Sequence, residues 1–419
     1  MTLAGPLTPP AGPVAPTPGP EPRIAVNATN TPGDNNSVFV ITQPGSYYLT
    51  ANVIGQASKS GIRIVSSGVT LDLNGFEVIG PEQFSGDGVT VANGGDPRNI
   101  AVFNGSVRGW KRHGIFLGFP NVAGGRVENV TVSGNGECGI MVGYSSTVVN
   151  CTASFNGSRG IEASDGAKIL ECSAHLNQNG GIVLAADGIV SRCTALFNAQ
   201  SGITVGTGSS ALDSTASTTD AGPGFVLGEL ASAHRCTAQR NTTAGFNAAA
   251  GCVLNECDAT GNFTNGIQGG ASVRVVNSTA RRNTLDGITV GVGSTVSGCT
   301  ATENTTNGIR GLSSCVIRGN TCAGNGAGAG SGSNIRVEGA DSHIEANVCT
   351  GADRGIEVIA AGNLIIRNTC ANNGVNWTIA ANNSYGPIID RTAPVSAAVN
   401  GNSAADAAGS THPNANFTY

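Results

Sequence analysis

A glycine followed by a large apolar residue recurs at a fixed interval through the middle of the chain. Within residues 139–309 the interval is 21 residues, with one step of 22. The apolar members of these pairs, which we term the anchors, are Ile140, Ile161, Ile182, Ile203, Phe225, Phe246, Ile267, Ile288 and Ile309. A constant interval of this kind indicates a solenoid, in which each repeat stacks on the one before.

Two further columns follow the same register. A small residue lies eleven positions after each of the first eight anchors, and five positions later an asparagine follows in all of these repeats but one, where Thr219 replaces it. The small residues are Cys151, Cys172, Cys193, Ser214, Cys236, Cys257, Ser278 and Cys299, and the asparagines are Asn156, Asn177, Asn198, Asn241, Asn262, Asn283 and Asn304. Because serine replaces cysteine in this column, we predict stacked, reduced thiols at a packing position rather than disulfides.

Each repeat contains two short segments of alternating apolar and polar residues, such as 287–290 and 295–299, separated by Gly, Ser, Asn and Asp. This alternation is typical of β-strands. Helical repeats need about 33 to 47 residues, and the leucine spacing of leucine-rich repeats is missing. The pattern therefore predicts coils of parallel strands, for which a right-handed crossover is the default.

The pattern over residues 62–377 resembles the right-handed parallel β-helix of the pectin-lyase-like superfamily, and the asparagine column resembles the internal asparagine ladder of that family. The resemblance implies an all-β fold, a single-stranded right-handed parallel β-helix (solenoid) of about 14 coils with N- and C-terminal caps. It implies no single activity, because this fold hosts lyases, hydrolases, adhesins, tailspikes and passive fibres.

The chain divides into four predicted parts. They are a Pro-rich flexible arm at 1–22, an N-terminal cap at 23–60, the β-helix at 61–378 and a C-terminal cap or tail at 379–419. The first coils are longer than 21 residues, and their extra residues are predicted to loop outward at 82–86, 94–97 and 120–125, as are residues 324–333 of a later coil. Loops on a rigid scaffold are frequent functional positions.

Composition excludes some classes of partner. Charged residues make up only 12% of the chain, the net charge is −5, and no run of Lys and Arg occurs. We therefore expect no nucleic-acid partner, and the lack of a long apolar run predicts no membrane span. The start of the chain lacks a secretion-signal pattern, whereas the fold and composition resemble those of extracellular proteins. We predict an extracellular or cell-surface protein and leave this conflict open.

The anchors continue at Ile62, Val89 and Ile115 before residues 139–309 and at Ile335 after them. The search for candidate chemistry starts from the column two positions before the anchors of the early coils. In polygalacturonase-type relatives, catalytic acids precede the same strand, so the resemblance directs attention to this column. Candidate catalytic residues are Asp87, His113, Glu137 and Arg159, and candidate substrate-binding residues are Lys111, Arg112 and Glu162. Neighbouring coils lie about 5 Å apart, so an acid, a base and an arginine that could pair with a uronate would share one sugar unit. The alternative is an ordinary solvated corner. We predict no metal and no cofactor.

Departures from the polygalacturonase pattern weaken the catalytic hypothesis. Only His113-Gly114 and Asp286-Gly287 match in part, and the Asp-Asp and Arg-Ile-Lys motifs are absent. A second charged cluster is predicted to be a salt-bridged surface, with a cation or sugar site as the alternative. Its members are Arg336, Glu338, Asp341, His343, Glu345, Asp353, Arg354 and Glu357.

Three functions remain open. The first is a non-catalytic surface protein that binds glycan or a protein partner on its outer face. The second is a polysaccharide lyase or glycoside hydrolase acting on acidic polysaccharide. The third is a structural or tail-fibre-like element, which oligomerises or attaches to its partner through the Pro-rich arm at residues 1–22.

Overall fold

The computed structural model describes residues 23–81, 86–91, 97–118, 123–326, 328, 330, 332–392 and 410–419. The predicted Pro-rich arm, most of the three early loops and part of the predicted C-terminal tail lie outside these residues. Within the described residues, β-strands are the only regular secondary-structure elements.

The strands form two parallel sheets. Sheet 1 contains 32 strands, two or more from most coils, and sheet 2 contains 16 strands, one from each coil. The strands of sheet 2 are β2 (Ser37–Ile41), β5 (Ser60–Ile64), β8 (Val89–Val91), β10 (Ile115–Leu117), β12 (Ile140–Val142), β15 (Ile161–Ala163), β18 (Ile182–Leu184), β21 (Ile203–Val205), β24 (Phe225–Leu227), β27 (Phe246–Ala248), β30 (Ile267–Gly269), β33 (Ile288–Val290), β36 (Ile309–Gly311), β39 (Ser333–Val337), β42 (Arg354–Val358) and β45 (Val375–Ile379).

The strands of sheet 1 are β1 (Ile24–Ala25), β3 (Gly45–Tyr48), β4 (Val53–Ile54), β6 (Val69–Asp72), β7 (Glu77–Ile79), β9 (Ala101–Arg108), β11 (Arg126–Ser133), β13 (Thr147–Val149), β14 (Thr152–Ser154), β16 (Lys168–Leu170), β17 (Ser173–His175), β19 (Ile189–Ser191), β20 (Thr194–Leu196), β22 (Ser210–Leu212), β23 (Thr215–Ser217), β25 (Ser232–His234), β26 (Thr237–Gln239), β28 (Val253–Asn255), β29 (Asp258–Thr260), β31 (Arg274–Val276), β32 (Thr279–Arg281), β34 (Thr295–Ser297), β35 (Thr300–Thr302), β37 (Val316–Arg318), β38 (Thr321–Ala323), β40 (His343–Glu345), β41 (Val348–Thr350), β43 (Leu364–Ile366), β44 (Thr369–Ala371), β46 (Ser384–Tyr385), β47 (Ile388–Asp390) and β48 (Asn416–Thr418).

Equivalent residues of successive coils lie directly above one another. Ile140 pairs with Ile161, and Ile161 pairs with Ile182, in parallel register. The predicted all-β, right-handed parallel β-helix is confirmed, with about sixteen turns against a predicted count of about fourteen. The predicted count did not include the turn that contains β2. This strand lies in the segment predicted as the N-terminal cap, and it pairs with β5 in the parallel sheet.

The interior contains the anchor and the residue two positions after it, as the alternation predicts. Ile140 and Val142 are both fully buried, and the same holds for Ile203 and Val205. All twelve cysteines are free and buried. Ser214 occupies the cysteine column and accepts the backbone N–H of Cys193 at 3.1 Å, so serine and cysteine have equivalent environments there.

The asparagine column forms the predicted ladder. The amide Nδ2 of Asn262 donates to Oδ1 of Asn283 at 3.0 Å and to the carbonyl of Ala238 at 3.1 Å. The ladder also includes Asn135 and Asn325, which extend the predicted column by one 21-residue step at each end. A second ladder continues the cysteine column near the C-terminal end, and its members are Asn320, Asn347, Asn368 and Asn416.

The described C-terminal residues return to the stack. The strand β48 pairs with both β44 and β47, and Nε1 of Trp377 donates to Oγ1 of Thr418 at 2.8 Å. Within the described ranges there is no helical segment with the length and apolarity needed to span a bilayer.

Candidate functional site

The outward surface of sheet 2 brings the predicted catalytic residues together near its N-terminal end. His113 lies in the turn before β10, Asp87 precedes β8 one coil earlier, and Glu137 precedes β12 one coil later. Oδ1 of Asp87 accepts the backbone N–H of His113 at 3.1 Å, and Oε2 of Glu137 lies 2.9 Å from Nε2 of His113. We term the group Asp87, Arg112, His113, Glu137, Arg159 and Glu162 the amino-terminal cluster.

Both ring nitrogens of His113 are engaged within the protein. Nδ1 accepts the backbone N–H of Cys138 at 3.2 Å, so the proton of the neutral ring lies on Nε2 and is donated to Glu137. The ring is buried and stacks on Phe116 with centroids 5.1 Å apart. Burial lowers the pKa of His113, while the charges of Asp87 and Glu137 oppose this shift. The neutral ring therefore has no free lone pair with which to accept a proton.

Arginines link the carboxylates of this cluster. Arg112 lies between Asp87 and Glu137, at 3.8 and 3.9 Å from their oxygens. One coil further on, Arg159 pairs with Glu162. The predicted binding residue Lys111 is exposed in the same turn as Arg112. The side chains of Arg112 and Glu137 are nearly half exposed, so these two groups are accessible from solvent.

Cys138 connects His113 with Glu162 within the amino-terminal cluster. Its thiol donates to Oε2 of Glu162 at 3.4 Å. Burial, reinforced by the negative charge of Glu162, raises the pKa of the Cys138 thiol to about 11. At neutral pH it is therefore a protonated hydrogen-bond donor and not a nucleophile.

A second group of polar residues occupies the same outward columns near the C-terminal end. It surrounds an open groove of about 410 Å³, which we term the carboxyl-terminal groove. Its lining residues are Asn265, Leu285, Asp286, Thr306, Asn307, Arg310, Arg336 and Glu338. Eight coil steps separate the anchors Ile115 and Ile288, so the two sites lie roughly 38 Å apart along the stack.

Asp286 is the buried centre of this groove. Its Oδ1 accepts hydrogen bonds from the backbone N–H and the side-chain amide of Asn307, at 3.0 and 2.8 Å, and from the hydroxyl of Thr306. Its Oδ2 accepts the hydroxyl of Thr289 at 3.0 Å, and Arg310 lies 4.0 Å away. Hydrogen-bond donors therefore contact both oxygens of the carboxylate and fix its orientation in the groove.

The two arginines of the groove share one carboxylate. Arg310 and Arg336 contact opposite oxygens of Glu338 at 2.7 and 3.0 Å, and Arg336 also pairs with Glu357 at 2.7 Å. The salt-bridged surface predicted for this part of the chain is present. It is divided between the sheets, because Glu345 lies on β40 of sheet 1 and pairs there with Arg367.

Sequence reasoning did not identify the carboxyl-terminal groove. Asn265, Asp286 and Asn307 all lie two positions before an anchor, but Arg310 and Arg336 lie one position after an anchor. Combining the two columns would have revealed the groove, since both face outward from sheet 2. Among the described residues, no group of three His, Cys, Asp or Glu side chains could hold a metal ion.

Comparison with known proteins agrees with this architecture. The family described as right handed beta helix region matches residues 33–190, 113–268 and 181–322. No curated protein sequence matches the chain.

Several solved structures resemble the chain at low identity. The A-module of a mannuronan C-5 epimerase from Azotobacter vinelandii is 14% identical, with 81% of this chain and 90% of that chain covered and a TM-score of 0.29. A periplasmic alginate epimerase is 11% identical, with 83% of each chain covered and a TM-score of 0.34. Tailspike protein 3 of bacteriophage CBA120 is 11% identical, with 84% of this chain and 59% of that chain covered and a TM-score of 0.41. The family matches together span most of the sequence, and the chain belongs to the right-handed β-helix family.

Proposed function

We propose that the protein binds a polysaccharide non-covalently on the outward face of sheet 2, with the carboxyl-terminal groove as the main site. The observation that carries this proposal is the set of groups around the open volume of about 410 Å³. Amides, a hydroxyl and two guanidinium groups line it together with the partly exposed side chain of Leu285. Sugar hydroxyls both donate and accept hydrogen bonds, as do the amides of Asn265 and Asn307.

The guanidinium groups favour an acidic polysaccharide. Arg310 has five N–H donors, and its contacts with Glu338 and Asp286 leave donors for a ligand. Its side chain is 37% exposed, so a uronate carboxylate can approach it from solvent. A bidentate arginine–carboxylate pair is stronger than a neutral hydrogen bond. We therefore expect uronic-acid polymers to bind more tightly than neutral glucans.

Binding without reaction is supported by the engagement of the acidic groups. General acid–base catalysis needs a side chain that can exchange a proton with the substrate. Asp286 already accepts hydrogen bonds from Thr289, Thr306 and Asn307, and both nitrogens of His113 are occupied. These groups act as a fixed framework that orients their neighbours.

A binding screen tests this proposal. Alginate, polygalacturonate and hyaluronan are compared with neutral dextran by calorimetry, while ultraviolet absorbance and reducing-end assays record any cleavage. We expect binding of at least one uronic-acid polymer without turnover, and at least tenfold weaker binding by Arg310→Gln.

Arg318→Gln is the matched control for that variant. Arg318 is exposed and belongs to the same coil, but it lies on β37 of sheet 1. We expect the Arg318→Gln variant to bind the uronic-acid polymer with the same affinity as the wild type. Equal loss in both variants, or no binding to any polymer, would refute the groove as a polysaccharide site.

The second candidate function is a polysaccharide lyase or glycoside hydrolase that uses Asp87, His113, Glu137 and Arg159. The favouring observation is that Glu137 is nearly half exposed and contacts both His113 and Arg112. In that case Glu137 would transfer the proton, and Arg159 with Lys111, Arg112 and Glu162 would hold the sugar. Turnover that is abolished in Glu137→Gln and retained in Arg310→Gln would favour this function.

The proposed location is outside the cell or on a cell surface, with a polysaccharide or a surface protein as partner. The low content of charged residues, 12%, and the absence of a run of Lys and Arg agree with this assignment. Fractionation of producing cells tests it, and recovery in the cytosolic fraction alone would contradict it. Light scattering with and without residues 1–22 tests oligomerisation through the Pro-rich arm.

A further inference from the structure

A turn of left-handed backbone conformation precedes each ladder position, and in three consecutive coils a large apolar residue occupies it. Phe155, Leu176 and Phe197 have φ values of 55°, 56° and 53°. Glycine occupies the equivalent position in other coils, at Gly109, Gly134, Gly261 and Gly324. We term Phe155, Leu176 and Phe197 the apolar stripe.

The apolar stripe is unfavourable on two counts. Left-handed backbone is strained for every residue with a Cβ atom, and a bulky side chain there is a genuine outlier. The three residues are also 61%, 39% and 50% exposed, so between about two fifths and three fifths of each remains in contact with solvent, although Phe155 packs edge-on against His175. Later coils have polar residues at this position, including Thr218 and Arg240. The turn itself belongs to the fold, because the other coils have it as well, and what distinguishes these three coils is the exposed apolar side chain on it.

We propose that the apolar stripe is a stacking platform for sugar rings of the polysaccharide that the carboxyl-terminal groove binds, so this inference rests on the proposed function. The faces of pyranose rings carry C–H groups and pack on flat aromatic surfaces. The stripe is one residue wide and spans two coil steps, about 10 Å. A stable protein interface buries about 800 Å² on each partner, which is far more than three side chains in single file provide.

The position of the stripe also agrees with a sugar ligand. Phe155, Leu176 and Phe197 each lie four residues before the outward column of sheet 2, so the stripe borders the face between the amino-terminal cluster and the carboxyl-terminal groove. Exposed amide side chains follow in the same turns, at Gln178 and Gln200. They can hydrogen-bond the hydroxyls of a ring that stacks on the stripe. Four coil steps, or roughly 20 Å, separate Phe197 at the end of the stripe from Asp286 in the groove. A polysaccharide that binds the stripe and the groove together must cross at least this distance.

The test replaces the aromatic residues with a side chain that tolerates the same backbone. Asparagine adopts left-handed φ more readily than other residues with a Cβ, so the double variant Phe155→Asn, Phe197→Asn keeps the turn and removes the rings. The full-length protein is titrated with the best-binding uronic-acid polymer and with its short oligosaccharides. We expect at least tenfold weaker binding of the polymer, unchanged binding of oligosaccharides that fill only the groove, and a Tm equal to or above that of the wild type.

Two further variants sharpen the result. Thr218→Asn alters the next coil of the same column and is expected to bind like the wild type. Phe155→Trp keeps an aromatic ring, and we expect its fluorescence to shift to shorter wavelength when the polymer binds. Leu230→Trp is its control, because Leu230 is exposed at a left-handed turn on another corner (φ 59°), and no shift is expected there.

The outcomes separate this inference from the proposed function. If the wild type binds the polymer and the double variant binds it equally, the stripe is not a sugar platform, while the groove is retained. If no polymer binds the wild type, both proposals fail. If light scattering shows a dimer that the double variant lacks, the stripe is an interface between copies of the chain and the inference is wrong.

Discussion

Nδ1 of His113 accepts the backbone N–H of Cys138 from the next coil at 3.2 Å. The register between two coils therefore determines which nitrogen of the imidazole carries the proton. Nε2 consequently donates to Glu137, and the neutral ring becomes part of the framework of the amino-terminal cluster. A protonated ring would have to break the bond to Cys138, because both nitrogens would then be donors.

This geometry predicts that the stability of the protein decreases in mild acid. Burial lowers the pKa of His113 from its ordinary value of 6.5, so the unfolded chain binds the proton more readily than the folded one. The neutral His113 ring therefore contributes to the free energy of unfolding in full above pH 6.5, and this contribution is lost as the pH falls below that value. We expect the Tm of the wild type to fall between pH 7 and pH 5, and His113→Gln to fall less. His175→Gln, altered on the surface of β17, should retain the wild-type profile; identical profiles for all three would exclude this role of His113.

Removing one amide from the asparagine ladder should destabilise the fold. Asn262→Ala deprives Asn241 of its acceptor and leaves the carbonyl of Ala238 without its donor. Each buried group left unpaired costs about 1–3 kcal/mol. Urea unfolding should show this loss, whereas Asn255→Ala, on the outer side of the same coil, should change stability by no more than about 0.5 kcal/mol. An unchanged unfolding midpoint for Asn262→Ala would mean that the ladder is not structural.

Serine should replace cysteine in the small-residue column with little loss. Cys193 Sγ lies 3.3 Å from the carbonyl of Ser191, and in the next coil Ser214 Oγ makes the equivalent bond to Leu212 at 2.7 Å. We expect Cys193→Ser to change the free energy of unfolding by less than about 1 kcal/mol. Cys193→Leu overfills the same position and should cost about 1–3 kcal/mol. Equal losses for the two variants in urea unfolding would contradict the equivalence of Ser and Cys in this column.

The fold could be predicted because a solenoid converts spatial stacking into a constant sequence interval. Ile140, Ile161 and Ile182 are 21 residues apart and superimpose directly. The second asparagine ladder could not be found in this way, because an insertion follows Asn320 and because Asn416 lies 48 residues after Asn368. Long connections change the interval without changing the stacking.

The candidate sites were predictable only in part, for a related reason. Asp87 and His113 share one column, so their contact followed from the register. Arg310 lies in the next coil and in a different column from Asp286. The column two positions before the anchors contains Asp286 but not Arg310, so it does not predict their contact. The strain at Phe155 is a backbone property, and the identity of the residue does not reveal the sign of φ.

Replacing Asp286 with asparagine should separate binding from catalysis in the carboxyl-terminal groove. Neutral amides already occupy the same column at Asn265 and Asn307. Asp286→Asn retains an acceptor oxygen for Asn307, and the hydroxyl of Thr289 can turn to accept from the new NH₂ group. We expect a loss of stability no larger than about 2 kcal/mol. Calorimetry should show an affinity for the best-binding uronic-acid polymer within threefold of the wild-type value.

A catalytic carboxylate would behave differently. Loss of a group that transfers a proton in the transition state typically lowers the rate by about 10²–10⁴-fold, and an amide cannot replace it. If the wild type cleaves the polymer and Asp286→Asn binds it without cleaving it, the groove is an active site and the proposal of binding alone is wrong. Glu137→Gln provides the matched test at the amino-terminal cluster, where the carboxylate contacts His113 and Arg112. A polymer that binds both variants as tightly as the wild type, with no product from any of the three, supports a surface that holds its ligand without reacting with it.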